Sequence, residues 1–344
     1  MNSNIFKEKT ILITGGTGTI GSALCKELLK YNPKQIRIYS RDDTKQFDLA
    51  SELDEYENIR YLIGDVRDRE RLFRATEGVD YIFHVAALKH VGICEYNPFE
   101  AIKTNVIGTQ NTIDAAIKNN IDKYLLISTD KATNPTNTMG ATKLLAERLT
   151  ISANLYKGVA ETKFSVVRFG NVFFSRGSVI PLFIKQIKKK KEITITDKEM
   201  TRFIMSIEEA AEFVISSMIQ SVGGEIFIKK MRAIQIDSLA EAVIEVVLKQ
   251  LNIEKKSIRK KIMGQKPGER KHELLFTAYE SHKCYEMEDR YVIIPEQYLR
   301  DRDYSIYHNY PKTGVLELSS EKVEQITKEE IKEMLKKEIA KISE

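Results

Sequence analysis

Little in this sequence points to a metal, a disulfide framework or a membrane. Its 344 residues hold three cysteines and five histidines. Cys25, Cys94 and Cys284 are odd in number and far apart, so a disulfide scaffold is excluded and a reducing compartment is expected. The histidines lack metal-ligand spacing: His272-Glu273 has no second histidine to complete a zinc-binding helix, and no metal is expected. No apolar run nears the roughly 20 residues of a membrane-spanning helix. The first strand is expected to open near Thr10, leaving no room for a cleavable signal, so the expectation is a cytoplasmic protein without membrane insertion. Internal repeats and low-complexity linkers are also missing. Charge is nearly balanced, 54 Lys+Arg against 49 Asp+Glu. A net charge of +5 suits an anionic small ligand and gives no argument for nucleic acid. The dense basic run Lys188-Lys189-Lys190-Lys191 has no aromatics interleaved and reads as a solvated helix end.

What is present is an alternation of short β-branched runs with amphipathic helical stretches, the pattern of a parallel sheet covered on both faces. Strands are expected at Thr10–Thr14, Gln35–Ser40, Arg60–Gly64, Tyr81–Val85, Tyr124–Ser128 and Phe164–Arg168, with helices at Gly21–Tyr31, Asp68–Thr76, Pro98–Asn119 and Met139–Tyr156. After Arg168 the rhythm breaks into short strands (Glu192–Thr196, Gly224–Ile228) and helices (Ser206–Ser221, Asp237–Leu251). The fold class is therefore α/β, a Rossmann-type doubly wound parallel sheet with a smaller interleaved substrate-binding lobe. Residues 1–170, with about 204–222 and 237–251, are assigned to the dinucleotide-binding domain. About 171–203, 223–236 and 252–310 form the lobe, and 311–344 a C-terminal extension. In that extension Thr327 and Glu330 make a capping box ahead of Ile331, Met334, Leu335, Ile339 and Ile342, an amphipathic helix whose docking partner is left open.

Thr14-Gly15-Gly16-Thr17-Gly18-Thr19-Ile20-Gly21 follows a strand and opens a helix. Gly15, Gly18 and Gly21 permit the tight turn, the approach of backbone to a pyrophosphate and the packing of helix on strand. Helix N–H groups then face the phosphates. Near the end of the second strand, Ser40 and Arg41 suit a ribose 2′-phosphate and favour NADP, while Asp42 keeps NAD possible. Asp65 and Val66, ending the third strand, are placed to meet adenine, with Asp65 as a simple helix cap the alternative.

Thr129-Asp130-Lys131 emerges at the carboxyl end of an apolar strand, where active sites of this architecture lie. Just beyond it, Met139 and Lys143 occupy the places where short-chain dehydrogenase/reductases hold Tyr-x-x-x-Lys. The four-residue spacing puts both side chains on one helical face. A thioether exchanges no proton, so either catalysis is lost or the proton work has moved to Thr129, Asp130 and Lys131.

A run of strings then carries a specific resemblance. Ala86-Ala87-Leu88-Lys89-His90-Val91, Glu95-Tyr96-Asn97-Pro98, Lys103-Thr104-Asn105-Val106, Ser128-Thr129-Asp130-Lys131-Ala132 and Met139-Gly140-Ala141-Thr142-Lys143 lie in the first half. Arg168-Phe169-Gly170-Asn171-Val172, Ser175-Arg176-Gly177-Ser178-Val179-Ile180-Pro181, Met200-Thr201-Arg202-Phe203 and Pro267-Gly268-Glu269 follow. Together they resemble the UDP-N-acetylglucosamine 4,6-dehydratases of polysaccharide and glycan biosynthesis, in their short soluble form. The resemblance implies a tightly held, recycled NADP or NAD, a UDP-N-acetylglucosamine substrate and a homo-oligomer. It implies Lys131 as the C5 base, Asp130 as the acid at the C6 hydroxyl and Thr129 as a helper at the C4 hydroxyl. These roles need an uncharged amine beside an un-ionised carboxyl, and burial disfavours the charged form of both. It further implies cofactor contacts from Ala86, Ala87, Thr104, Met139, Lys143 and Val172, beside those of Gly15, Thr17, Gly18, Thr19, Ile20, Gly21, Ser40, Arg41, Asp65 and Val66. Substrate contacts are implied for Lys89, Asn171, Arg176, Pro181, Arg202, Lys266 and Glu269. Lys266 stands where the family usually has arginine, and lysine cannot grip a phosphate bidentately. Methionine in the tyrosine slot is common among retaining members and occurs in an inverting one, so C5 configuration stays open with a leaning to retention. Competing readings are a UDP-sugar 4-epimerase or reductase, and a dinucleotide-binding sensor or scaffold without turnover.

Overall fold

The computed structural model describes residues 4–190, 192–251, 258–295 and 304–343. Lys191 of the basic run, and 252–257 and 296–303 of the expected lobe, lie outside them. The chain divides into two compact units.

The first unit comprises the described residues to Phe169 with Ile207–Lys230 and Phe276–Glu317. Its strands are β1 (Thr10–Thr14), β2 (Gln35–Ser40), β3 (Ile59–Ile63), β4 (Tyr81–His84), β5 (Lys123–Thr129) and β6 (Lys163–Phe169). They lie parallel in the order β3-β2-β1-β4-β5-β6, so the chain reverses direction of travel between β1 and β4. In such a sheet ligands collect at the carboxyl ends beside that switch point. Every residue of β1 and β4 is buried, as apolar runs between two helical layers require. Ile11, Leu12 and Ile13 are wholly inaccessible. Burying each contributes about 1.5–3 kcal/mol. The helices α1 (Thr19–Leu29), α2 (Asp43–Glu52) and α3 (Arg69–Thr76) follow β1, β2 and β3. The stretch read as one helix from Pro98 is interrupted by a π-helical segment, Ile102–Ile107, before Gly108–Lys118.

The sequence pattern assigns Ile226–Lys229 to the lobe. It lies instead beside β6, parallel to it, with Phe227 and Ile228 fully buried. Arg290–Ile293 and Cys284–Glu286, also expected in the lobe, extend the same sheet in antiparallel fashion. An apolar strand fits any position with two covered faces, and only pairing decides which sheet it joins.

The second unit comprises Gly170–Ser206, Met231–Leu275 and Leu318 onward, among the described residues. Asn171–Val172, Thr201–Met205 and Arg232–Gln235 form one small sheet, and Glu192–Ile195 pairs with Arg259–Ile262 in another. The helix Ile236–Leu251 corrects the expected boundaries: it belongs here and not to the first unit. Its stripe of Leu239, Val243 and Val247 packs with Ile180, Phe183 and Ile187 of the helix Val179–Lys190. The tail helix Lys328–Ser343 docks on the same core through Ile331 and Leu335, both fully buried. Its capping box forms, with Glu330 N donating to Thr327 Oγ1 at 3.3 Å and Thr327 N to Glu330 Oε2 at 2.8 Å.

Candidate active site

The turn after β1 leaves no room for a side chain at Gly15 or Gly21. Gly15 has φ +66°, and a β-carbon there would lie 2.8 Å from Ala86 Cα. One on Gly21 would lie 2.4 Å from Gly15 O. Gly18 is the N-cap of α1 and supplies no capping side chain, so the first turn, Thr19-Ile20-Gly21, presents backbone rather than side chain. Such a cradle fits the pyrophosphate of a dinucleotide. Thr17 Oγ1 is 2.8 Å from Ser40 Oγ, tying the turn to the end of β2.

Beyond Ser40 the carboxylates sort themselves by partner. Asp42 is the N-cap of α2, accepting from Lys45 N at 3.0 Å and pairing with Lys45 Nζ. Arg41 is half exposed and reaches Asp65 only at 3.4 Å. Asp65 is gripped by Arg67, with Nη2 to Oδ2 at 2.7 Å. Burial alone would raise its carboxyl, yet the Arg67 hydrogen bonds outweigh this and hold it below the ordinary range. The alternative of Asp65 as the cap of α3 is corrected: Asp68 caps that helix, accepting from Arg71 N at 2.9 Å. Val66 is buried at the same strand end.

Thr129 closes β5, and Asp130–Ala132 form a single 3₁₀ turn. Asp130 is completely buried. Thr129 Oγ1 donates to its Oδ1 at 2.8 Å and Lys131 Nζ to the same oxygen at 2.9 Å. Asp130 Oδ2 is buried and meets no partner among the described residues. An unsatisfied buried polar oxygen in a folded protein calls for an explanation, and a substrate hydroxyl is one.

The helix Thr138–Tyr156 starts beside this turn, its N-cap Asn137 accepting from Gly140 N at 2.8 Å. Met139 is 4% exposed and packs with Cys94 and Ala101, a hydrophobic contact rather than a polar one. One turn on, Lys143 is buried, and its Nζ donates to Ile127 O of β5 at 2.6 Å. Burial pushes its ammonium down to about 8, against an opposing pull from Glu147.

Sequence reasoning gives no role to Asn105. It sits buried in the π-helical segment beside Thr104, and its side chain clamps the segment that runs from Ala86 and Ala87 to Lys89. Leu88 N donates to Asn105 Oδ1 at 2.8 Å, and Asn105 Nδ2 donates to Leu88 O at 3.0 Å. A π-helical insertion is itself a common mark of a functional position. A buried polar residue inside an amphipathic pattern is the available signal.

In the second unit, Asn171 Oδ1 and Glu269 Oε2 are buried without a partner among the described residues. Arg202 is largely committed: Nη1 donates to Thr201 O at 2.8 Å and to Lys271 O at 3.1 Å, and Nε lies 3.6 Å from Glu273 Oε1. Arg176 and Lys266 are exposed, Pro181 is half-buried and Val172 is buried beside Met205.

Known proteins share both the sequence and the fold. The family described as polysaccharide biosynthesis protein matches residues 11–295. A relative called uncharacterized membrane protein MJ1061, from Methanocaldococcus jannaschii, is 52% identical over 95% of this chain and 97% of its own. Among the described residues here, no helix is long and apolar enough to cross a membrane. A UDP-N-acetylglucosamine 4,6-dehydratase (inverting) from Campylobacter jejuni is 46% identical over 87% of this chain and 86% of its own. A UDP-glucose 4-epimerase from Rickettsia rickettsii is 41% identical over 96% of each. The X-ray structure of Pen from Bacillus thuringiensis, 45% identical, matches with a TM-score of 0.90 over 97% of this chain and 98% of that one.

Proposed function

Since the chain belongs to the polysaccharide biosynthesis protein family, among nucleotide-sugar dehydratases and epimerases with a Rossmann-type fold, we propose that it removes water from UDP-N-acetylglucosamine. The product is a UDP-2-acetamido-4-keto-2,6-dideoxy-hexose. The observation that carries this reading is the buried Asp130 bonded to both Thr129 and Lys131 at the carboxyl end of β5.

A bound nicotinamide dinucleotide supplies the hydride acceptor for sugar C4 and the hydride donor for C6. Gly15 to Gly21 cradle its pyrophosphate, Ser40 and Arg41 meet a 2′-phosphate, and Lys143 holds the nicotinamide ribose. Lys131 takes the C5 proton, made acidic by the neighbouring C4 ketone, and Asp130 protonates the C6 hydroxyl as it leaves as water. C5 takes a proton back as hydride reaches C6, and the proton that the C4 hydroxyl gives up on oxidation passes through solvent to recharge Asp130. The 2.9 Å between Lys131 Nζ and Asp130 Oδ1 matters here. One proton crossing that distance turns an ammonium–carboxylate pair into an amine and an acid, generating both catalysts with no change of net charge. Thr129 orients Asp130 and lies next to the C4 hydroxyl. Within the first unit, Lys89 contributes to holding the UDP-sugar.

The similarity to the inverting Campylobacter enzyme moves the favoured C5 outcome from retention to inversion. Incubation with UDP-N-acetylglucosamine, followed by mass spectrometry, tests the reaction. Loss of one water supports it, an isomer of unchanged mass would make the chain an epimerase, and no change would leave a binder. A nuclear Overhauser contact between H3 and H5 in the first product means retention, and its loss means inversion. In Lys131→Ala, deuterium exchange at C5 should vanish; exchange at the unaltered rate would remove Lys131 from the base role.

A further inference from the structure

Between the cofactor turn and the π-helical segment runs a buried chain of hydrogen bonds centred on His84, the last residue of β4 and almost inaccessible to solvent. His84 Nδ1 is 2.8 Å from Thr14 Oγ1, and His84 Nε2 is 3.1 Å from Thr109 Oγ1. The proton positions follow from counting. Thr14 Oγ1 already accepts from Ala86 N at 3.3 Å and from the Val85 N–H at 3.2 Å, which it shares with Thr14 O, so donors already approach both of its lone pairs. Its own hydrogen must therefore point to Nδ1. At the other end Thr109 Oγ1 donates to Asn105 O at 2.7 Å, so it accepts from Nε2–H. Both ends demand one species, neutral imidazole protonated at Nε2. Burial, reinforced by the charge of Lys143, pushes the ring down to about 3 and keeps it neutral at physiological pH. Tyr124 stacks on the ring at 5.9 Å and fixes its plane.

The two arms converge on one segment. Through Thr14, His84 holds the Ala86 amide, and Ala86 is the residue against which Gly15 packs with no space for a β-carbon. Through Thr109 it holds the backbone of Asn105, whose side chain clamps Leu88. We propose that His84 is a positioning residue for the dinucleotide, fixing Ala86 to Leu88 from both ends so that this segment and the Gly15 turn form one preset surface. The inference rests on the dinucleotide reading above.

The test uses the full chain stripped of endogenous cofactor, with NADPH fluorescence as the readout. Thr14→Val keeps shape and removes the hydroxyl; Thr14→Ser keeps the hydroxyl. His84→Phe keeps the stack on Tyr124 and removes both hydrogen bonds. Thr14→Val and His84→Phe should each raise the NADPH dissociation constant on the order of tenfold, the effect of losing a buried hydrogen bond. Thr14→Ser should stay within about twofold on the same scale. Wild-type affinity in folded Thr14→Val and His84→Phe would overturn the positioning role while leaving the dinucleotide reading intact. No NADPH or NADH binding by the unaltered chain would sink both. A second readout needs no variant: ¹⁵N spectra of the unaltered protein should show His84 as the neutral Nε2–H tautomer from pH 5 to 9, and the Nδ1–H tautomer would refute the counting argument.

Discussion

Gly140 lies against the backbone of Lys131 so closely that a β-carbon on it would sit 2.2 Å from Lys131 O. No rotamer relieves this contact, because both sides are main chain. The glycine is thus what lets the helix carrying Met139 and Lys143 approach the turn carrying Asp130 and Lys131. Gly140→Ala should push the two apart by about an ångström, since a real β-carbon comes no nearer than 3.0 Å to such an atom. Overpacking of this kind costs about 1–3 kcal/mol. Misplacement of the reacting groups should lower kcat roughly tenfold to a hundredfold. Steady-state rates beside a thermal melt check this, and unaltered kcat in Gly140→Ala would show that the turn absorbs the strain elsewhere.

Lys143 gives the site a pH limit. Its ammonium is pushed down to about 8 by burial, so the charge proposed to grip a ribose is present below that pH and lost above it. The dinucleotide dissociation constant should be flat from pH 6 to 7.5 and rise through 8 to 9. Lys143→Met should bind weakly with no such break. The stability sign is opposite to that of an ordinary salt-bridged lysine. The folded value lies below the unfolded one near 10.4, so the folded state bears the full cost of the charge below about 8 and is relieved as pH rises toward the unfolded value. At pH 7 that cost is about 3 kcal/mol. Lys143→Met should therefore melt higher than the unaltered chain at pH 7, and a lower melting temperature would contradict the assignment.

How much of this was legible in the sequence depends on whether a residue's partner is near in the chain. The strands β1 to β6 are read to within a residue or so because apolar runs alternate with helices, a local pattern. Helix α2 is missed because Gln46 and Leu49 alone are buried on it, too thin a stripe to register. Leu239, Val243 and Val247 announce that the helix Ile236–Leu251 buries a face, but not that Ile180 and Phe183 cover it, and so the unit boundary is misplaced. Thr129, Asp130 and Lys131 stand out by their place at a strand end. His84 and Asn105 do not, since a polar residue in an apolar run has no period. His84 meets partners 70 and 25 residues away.

Arg168 ties three distant segments together without facing any ligand assigned here. Its guanidinium is 1% exposed and contacts Glu147 at 2.6 Å and Glu280 at 3.0 Å. For Glu280 burial acts to raise the carboxyl, but Arg168 beside it holds it below the ordinary range. Arg168→Met would strand two buried carboxylates, which costs about 3–5 kcal/mol. Urea unfolding should show a loss of that size, and the triple variant that also carries Glu147→Gln and Glu280→Gln should recover part of it. Glu147 also pulls the Lys143 ammonium upward. Freed from Arg168 it should do so more strongly, and the pH break in dinucleotide affinity should move above 8 in Arg168→Met. A break that stays in place would show that Glu147 does not set the Lys143 charge.

The proposed choice of cofactor turns on Arg41 and Asp42, adjacent residues with different employment. Asp42 is occupied as the cap of α2 and by Lys45, whereas Arg41 is half exposed and holds Asp65 only at 3.4 Å. A carboxylate turned to the ribose would select NAD, and a free guanidinium selects the 2′-phosphate of NADP. A charge-assisted hydrogen bond is worth about 1.5–3 kcal/mol. Arg41→Ala should therefore weaken NADPH binding by roughly tenfold to a hundredfold and leave NADH nearly unchanged. Asp42→Ala should cost about 1 kcal/mol of stability through the lost cap, with the ratio of the two affinities intact. If Asp42→Ala shifts that ratio toward NADPH while Arg41→Ala leaves it alone, Asp42 leaves its cap to meet the ribose and the protein is an NAD enzyme.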